Sequence, residues 1–428
     1  MRAGAASALG HIGRPVMGDT LLRAMDDGEA KVRASAAYAL GLLGHSQAIP
    51  RLARALGERD ERVGRNASFA LQRMPSQEQV FDQVGAALQA AEAESKGRIL
   101  RKLQVGAGVE WRKTWFLTML RDPDPENRAA ACYCLQEMPD GRAVEPCLTL
   151  LNDEDARVRC GACNVLRVLR EQKAIEPCLT LLHDEDPNVC AAACWFYQEV
   201  PDQRAAGPAL PLLRHRSPKV RATACHLLAK LGAQVAAEPC LELLRDPDPG
   251  VRASGCVFFR HVAHAGAPDD ILPLLQDTDP TVRATACGYF QVRPDPRVVE
   301  PSLGLLRDLD ADVRASACGV FQKLPDSRAA EPCLELLDDD APKVRASACV
   351  VLEKLEDPRA VESCLELLRD EDAGVRASAC GALAMLGQHL SIPQHKEALE
   401  TCERLASDID ERVRRSAKFA LRQLLNNA

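Results

Sequence analysis

The chain has 428 residues, 46% hydrophobic and 27% charged, yet only 9 Phe, 3 Trp and 4 Tyr. Large single cores lean on aromatic side chains that bury about 150–250 Å² each, so a long chain built on Ala, Leu, Val and Cys is expected to form thin, closely spaced layers. The net charge of −7 disfavours a general nucleic-acid binder. No apolar run approaches the ~20 residues that span a bilayer, and Met1-Arg2-Ala3-Gly4 leads into a Gly- and Ala-rich stretch without a secretory core.

Along the chain the sequence repeats itself. Met1-Arg2 and Val32-Arg33 stand 31 residues apart, and a looser 64-residue interval separates Gly64 from Arg128. From Asn127-Arg128 the 31-residue step is regular through Val158-Arg159, Val220-Arg221, Val251-Arg252, Val282-Arg283, Val313-Arg314, Val344-Arg345 and Val375-Arg376, with Val189-Cys190 as the substituted member. Val413-Arg414 follows after 38 residues. Dividing 428 by 31 gives about 13.8, so the chain reads as fourteen units, the first incomplete.

One unit shows the logic. Ala330 to Leu337 places apolar residues at helical spacing, with Pro332 in the first turn, where proline is tolerated. Asp338-Asp339-Asp340-Ala341-Pro342 breaks that helix, and a second runs from Val344 to Leu355. Two short helices cannot bury a core alone; stacked, they form an all-α solenoid in which each unit contacts mainly its neighbours. The expected divisions are 1–127, cysteine-free and partly irregular; 128–390, the regular 31-residue units; and 391–428, a basic capping unit carrying Arg412, Arg414, Arg415, Lys418 and Arg422. The chain enters directly in a second helix, leaving Leu9 and Ile12 without the first helix that should cover them. That edge is therefore expected either to continue a longer array or to meet a partner or second copy.

The unit resembles the HEAT family, in particular the short HEAT-like repeats also found in phycobilin lyases. The resemblance spans nearly the whole chain, loosely between Pro75 and Leu120. It implies a ladder of hydrogen bonds between an Asp in the turn and the Arg that opens the second helix, and it implies that second helices line a concave surface. Acids do stand six and four residues before these arginines, as Asp246 and Asp248 before Arg252. Cys190 replaces one arginine and His215 one aspartate, marking a locally atypical stretch.

Eighteen cysteines follow the same register. Nine lie four residues after the arginine position, from Cys132 to Cys380, and six mark a first-helix position, among them Cys147 and Cys178. Neighbouring helices sit about 8–10 Å apart, and a disulfide needs Cα atoms within about 7 Å. Equivalent cysteines of successive units are thus read as buried, reduced packing residues, which suits a cytoplasmic compartment. Cys160, Cys163, Cys190 and Cys194 share helix faces on two adjacent units and form the one cluster to weigh for metal or redox chemistry.

The working surface is sought where the repeats disagree. Five residues after the arginine position stand Tyr133, Asn164, Trp195 and His226; eight after it stand Arg167, Gln198 and Arg260. A 100° projection turns these away from the core stripe, so these seven are the candidate partner-binding residues. Trp195 has a second reading, in which it folds over the neighbouring repeat and fills the defect left by Cys190. A basic stretch with Lys96, Arg98, Arg101, Lys102, Arg112, Lys113, Trp111 and Trp115 has the composition for nucleic-acid contact, but the periodicity of Ile99, Leu100 and Leu103 also suits an ordinary amphipathic helix with a solvated basic face. Nucleic acid is the less expected partner.

No phosphate loop of Walker type and no Gly-x-Ser-x-Gly elbow occurs, and none of the nine His is followed by Glu, as iron-binding HEAT-repeat hydroxylases would require. No catalytic residue, metal ligand or cofactor is assigned. The expected function is a non-catalytic scaffold that engages a protein or peptide in the concave groove. The alternatives are a phycobilin-lyase-like enzyme or chaperone for chromophore attachment, and an immunity protein or antitoxin.

Overall fold

The computed structural model describes residues 1–91, 95, 98, 99, 102 and 109–426. Among them there is no β-strand, and the helices alternate short and long as an α-solenoid. A first helix of about two turns, such as Val144–Leu150 or Ile175–Leu181, follows a 3-10 turn. A second helix of 13 residues, such as Ala156–Val168 or Pro249–His261, follows it. The unit singled out above has its first helix at Ala330–Glu335, ending in a 3-10 turn over Leu336–Asp338, and its second at Pro342–Leu355. The second helix starts two residues earlier than expected because Pro342 occupies its first turn, where its missing N–H costs nothing.

Asp sets most of the second-helix starts. Asp155 accepts from the Arg157 amide at 2.8 Å, and Asp279 accepts from the Thr281 and Val282 amides at 2.8 and 3.3 Å. Each caps orphan donors that the first turn would leave open. Within each regular run of repeats on either side of residue 205, second helices pack on the second helices of neighbouring repeats, as Ala156–Val168 on Pro187–Glu199 and Pro218–Lys230 on Pro249–His261. Their shared stripe, Val158, Ala162 and Leu166 in one case, is fully buried. The few aromatics work in edge-on pairs, including Phe196–Tyr197, Phe258–Phe259 and Tyr289–Phe290, with centroids 5.0–5.2 Å apart.

The chain forms two compact units, Met1–Ala205 and Ala206–Ala428. The boundary falls in sequence between Cys190 and His215, two of the departures from the repeat.

Candidate functional site

The arginine of each regular repeat is consumed internally. Arg252 donates through Nε and Nη2 to Asp277 of the next repeat, both at 2.7 Å, and through Nη1 to the carbonyls of Asp246 and Pro247 at 2.9 and 3.2 Å. The Asp six residues before one arginine is therefore the acceptor for the arginine of the preceding repeat, while the Asp four before it caps the helix. The same rung joins Arg128 to Asp153, Arg159 to Asp184, Arg221 to Asp246 and Arg283 to Asp308. Arg376 reaches Asp408 across the longer final step, and Arg33 uses Glu58 instead. The Arg252 and Asp277 side chains are 14% and 8% exposed, so the pair is bidentate and largely desolvated. Hydrogen bonding to Asp277 lifts the Arg252 pKa. Burial works to raise the Asp277 carboxyl, but the bonds from Arg252 and the Asp279 amide outweigh it and leave it below the usual range.

Cys190 keeps part of this role. Its thiol donates to the Asp184 carbonyl at 2.9 Å, the acceptor an arginine would have used. His215 keeps part of the aspartate's role, since its Nδ1 accepts from the Ser217 amide at 3.0 Å.

On this lattice the first unit carries five of the seven candidate residues. Tyr133, on Pro125–Glu137, is 62% exposed. Asn164 and Arg167, on Ala156–Val168, are half-buried and joined, Arg167 Nε donating to Asn164 Oδ1 at 3.3 Å. Trp195 and Gln198, on Pro187–Glu199, are also half-buried. In the second unit His226 is half-buried, and burial, then the neighbouring His261, holds its imidazole below the ordinary range. Arg260 lies over the next second helix, where a Cβ on Gly288 would stand 3.6 Å from its Nη1; its buried Nε has no protein partner.

That last arrangement recurs. Gln291 covers Gly319 and donates to the Ser316 carbonyl at 2.9 Å, and Glu353 approaches Gly381. The eighth residue after one arginine leans on the fifth residue after the next. In the sequence this contact is marked by glycine at the fifth position, one repeat after Arg, Gln or Glu at the eighth.

A second missed feature is a groove of about 560 Å³ beside Gln77–Ala90 and Val109–Met119, lined by Asp82, Thr118, Arg121, Asp122 and Arg142 among others. Arg142 is already held by Asp140 at 2.7 Å. The lining has carboxylates, guanidiniums and the hydroxyls of Thr114 and Thr118, with no cysteine, serine or histidine. The only hint in the sequence was the interrupted register between Gly64 and Arg128.

The basic stretch is partly spent on that interruption. Lys96, Arg101 and the Trp111 side chain lie outside the described residues. Arg98 donates to the Gly57 carbonyl at 2.8 Å, and Lys102, only 7% exposed, lies over Gly64 and pairs with Glu61. Lys102 thus fills the place of the arginine that Gly64 lacks.

None of the eighteen cysteines forms a disulfide. Within the cluster of Cys160, Cys163, Cys190 and Cys194, Cys160 points to the Asn188 carbonyl, Cys190 to that of Asp184, and Cys163 to Cys178, with Sγ atoms 3.9 Å apart, while Cys194 is buried. Among the described residues no three His, Cys, Asp or Glu groups converge as metal ligands, and no helix is long and apolar enough to cross a membrane.

The sequence matches the family described as HEAT repeats over residues 18–101, 114–195, 150–215, 175–257 and 330–422, most of the chain. The chain belongs to the HEAT-repeat family. Yeast importin-beta (Kap95p) is similar over 97% of this chain and 62% of its own, at 14% identity and a TM-score of 0.47. Kap95p in a structure with RanGDP is similar over 97% and 67%, at 13% and 0.47. An engineered protein is similar over 95% and 98%, at 17% and 0.32. No curated protein matches the sequence. The assignment to HEAT repeats rests on the repeat sequence and on the helix pairs that it forms.

Proposed function

We propose that this HEAT-repeat chain is a non-catalytic scaffold that binds a protein or peptide on the concave, second-helix side of its repeats. The observation that carries this reading is the division of labour within each repeat. The recurrent Arg, Asp and capping residues satisfy one another, so they hold neighbouring helices in fixed register without offering a ligand anything. Selectivity then falls to the positions where repeats differ. Tyr133, Asn164, Arg167, Trp195 and Gln198 serve the first unit, and His226 and Arg260 the second. Tyr133 is the anchor in this reading, because an exposed aromatic on a rigid helix brings contact area at little entropic cost. A chain whose eighteen cysteines form no disulfide suits a reducing compartment.

Affinity capture with the full chain tests the assignment. Tyr133→Ala removes exposed surface, so it should weaken retention of the specific partner while leaving the melting temperature in place. Trp195→Ala is the companion, read with its own melting curve because the ring is half-buried. Retention unchanged by both substitutions would sink the assignment.

A further inference from the structure

The core contains paired thiols that neither the fold nor the proposed scaffold role requires. Cys163, on a second helix, faces Cys178, on the first helix of the following repeat, with Sγ atoms 3.9 Å apart and both residues buried. Cys225 and Cys240 repeat that distance. Three more pairs have the same 15-residue spacing, Cys132–Cys147, Cys318–Cys333 and Cys349–Cys364, and Cys380–Cys402 holds the equivalent positions across the longer final step; in each pair the partner thiol raises the pKa of the first cysteine.

Packing alone does not call for sulfur here. In the N-terminal repeats the same two positions are Ala6 with Leu21 and Ala37 with Leu52, all buried, which is the volume-conserving alternative a core tolerates. Two chemistries could use a paired thiol, and the separation chooses between them. A disulfide of about 2.05 Å would require the sulfurs to close by nearly 2 Å (~1.9 Å) inside a close-packed core. Two metal–sulfur bonds of about 2.3 Å, placed in line, span about 4.6 Å and require an opening of only about 0.7 Å. Zinc wants four ligands, whereas no third His, Cys, Asp or Glu converges on these pairs among the described residues. Soft thiolates select Cu(I) among the remaining ions.

We infer that the paired core thiols are two-coordinate sites for a soft monovalent cation of the Cu(I) class. On binding, one S–H bond breaks and its proton leaves to buffer. One thiolate–copper and one thiol–copper bond form, and copper remains Cu(I). The product is neutral, which a dry interior demands. The partner thiol, then burial, raises Cys163 and Cys225 far above the ordinary thiol range, so it is the ion that displaces the proton. The sites open through local separation of neighbouring helices, as repeat arrays allow.

Titration of the reduced full chain with Cu(I) under anaerobic conditions, against a bathocuproine competitor and with native mass spectrometry as readout, decides it. Six ions should be retained, one per pair. The double variant Cys178→Ser, Cys240→Ser should retain two fewer with its helical circular dichroism intact, because serine already stands at this position as Ser302. Ser302→Cys should retain one more, since Cys287 faces that position in register. Copper left entirely with the competitor would overturn the inference. So would a count unmoved by these substitutions, or copper lost only on replacing Cys160 or Cys190. A chain that loses two hydrogens per pair in air and then takes no copper would assign the pairs to disulfide chemistry instead.

Discussion

Two second helices of the first unit lack the repeat's arginine, and they manage without it differently. In Glu61–Gln72 the position is Gly64, and Lys102 from 38 residues downstream lies over it while Arg98 takes the Gly57 carbonyl. In Pro187–Glu199 the position is Cys190, whose thiol stays in place and takes the Asp184 carbonyl. The first helix imports a cation and the second keeps only a weak donor. Satisfying backbone carbonyls at the turn is therefore common to every version described, whereas the bidentate bond to the next repeat is what can be surrendered. An unpaired buried carbonyl costs about 1–3 kcal/mol, but a missing rung removes donor and acceptor together and strands neither.

That contrast can be broken in several ways. Acid should have the largest effect because it strikes every rung at once. Asp277, Asp308 and Asp339 titrate below their unfolded value, so the unfolded chain binds more protons in acid. Their contribution is complete above about pH 4 and is lost as pH falls through the depressed folded values. Far-UV circular dichroism should show progressive loss there, and hydrogen exchange should show the runged helices opening first. The helix capped by Asp60, whose carboxyl Arg62 holds down at about 2, should persist longer. Helicity independent of pH down to about 2 would deny the rungs any role.

Next in size is Arg252→Ala, which strands the largely buried Asp277 carboxylate and should cost about 3 kcal/mol. Cys190→Ala should cost about 1 kcal/mol, the price of one weak bond. Equal shifts in urea midpoint would erase the distinction between rung and carbonyl partner. Lys102→Ala uncovers Gly64 and should cost about 2 kcal/mol, with faster amide exchange confined to the neighbourhood of Glu61–Gln72. The smallest effect has the opposite sign. Ser302 Oγ is buried without a partner, so Ser302→Ala should stabilise by about 1 kcal/mol; a lower melting temperature would show that the hydroxyl is satisfied.

The period, the helix pairs and the aspartate and arginine positions were all legible, because each arises from a local rule repeated many times. The direction of the rung was not. Asp246 and Asp248 both precede Arg252, and nothing local says that the arginine passes over Asp246 to reach Asp277. The candidate surface was harder still. A projection treats a helix as isolated, so it cannot show that Arg260 would lie on Gly288 or that Gln291 would lie on Gly319. The thiol pairs escaped because cysteines were compared between equivalent helices, where the spacing forbids contact. The relation that mattered runs from a second helix to the following first helix, 15 residues in the regular repeats, as from Cys163 to Cys178 and Cys225 to Cys240, and 22 across the longer final step, from Cys380 to Cys402.

The rung also makes the chain editable by whole units. Each regular arginine finds its carboxylate 25 residues downstream, as Arg252 finds Asp277 and Arg283 finds Asp308. Excising residues 277–307 would bring Asp308 to the same distance from Arg252, along with the helix cap that follows it. The shortened chain should fold with the same cooperative melting, whereas a cut shorter by a few residues should not. Length in this protein is thus a variable that duplication and deletion can set in whole-unit steps without redesigning an interface.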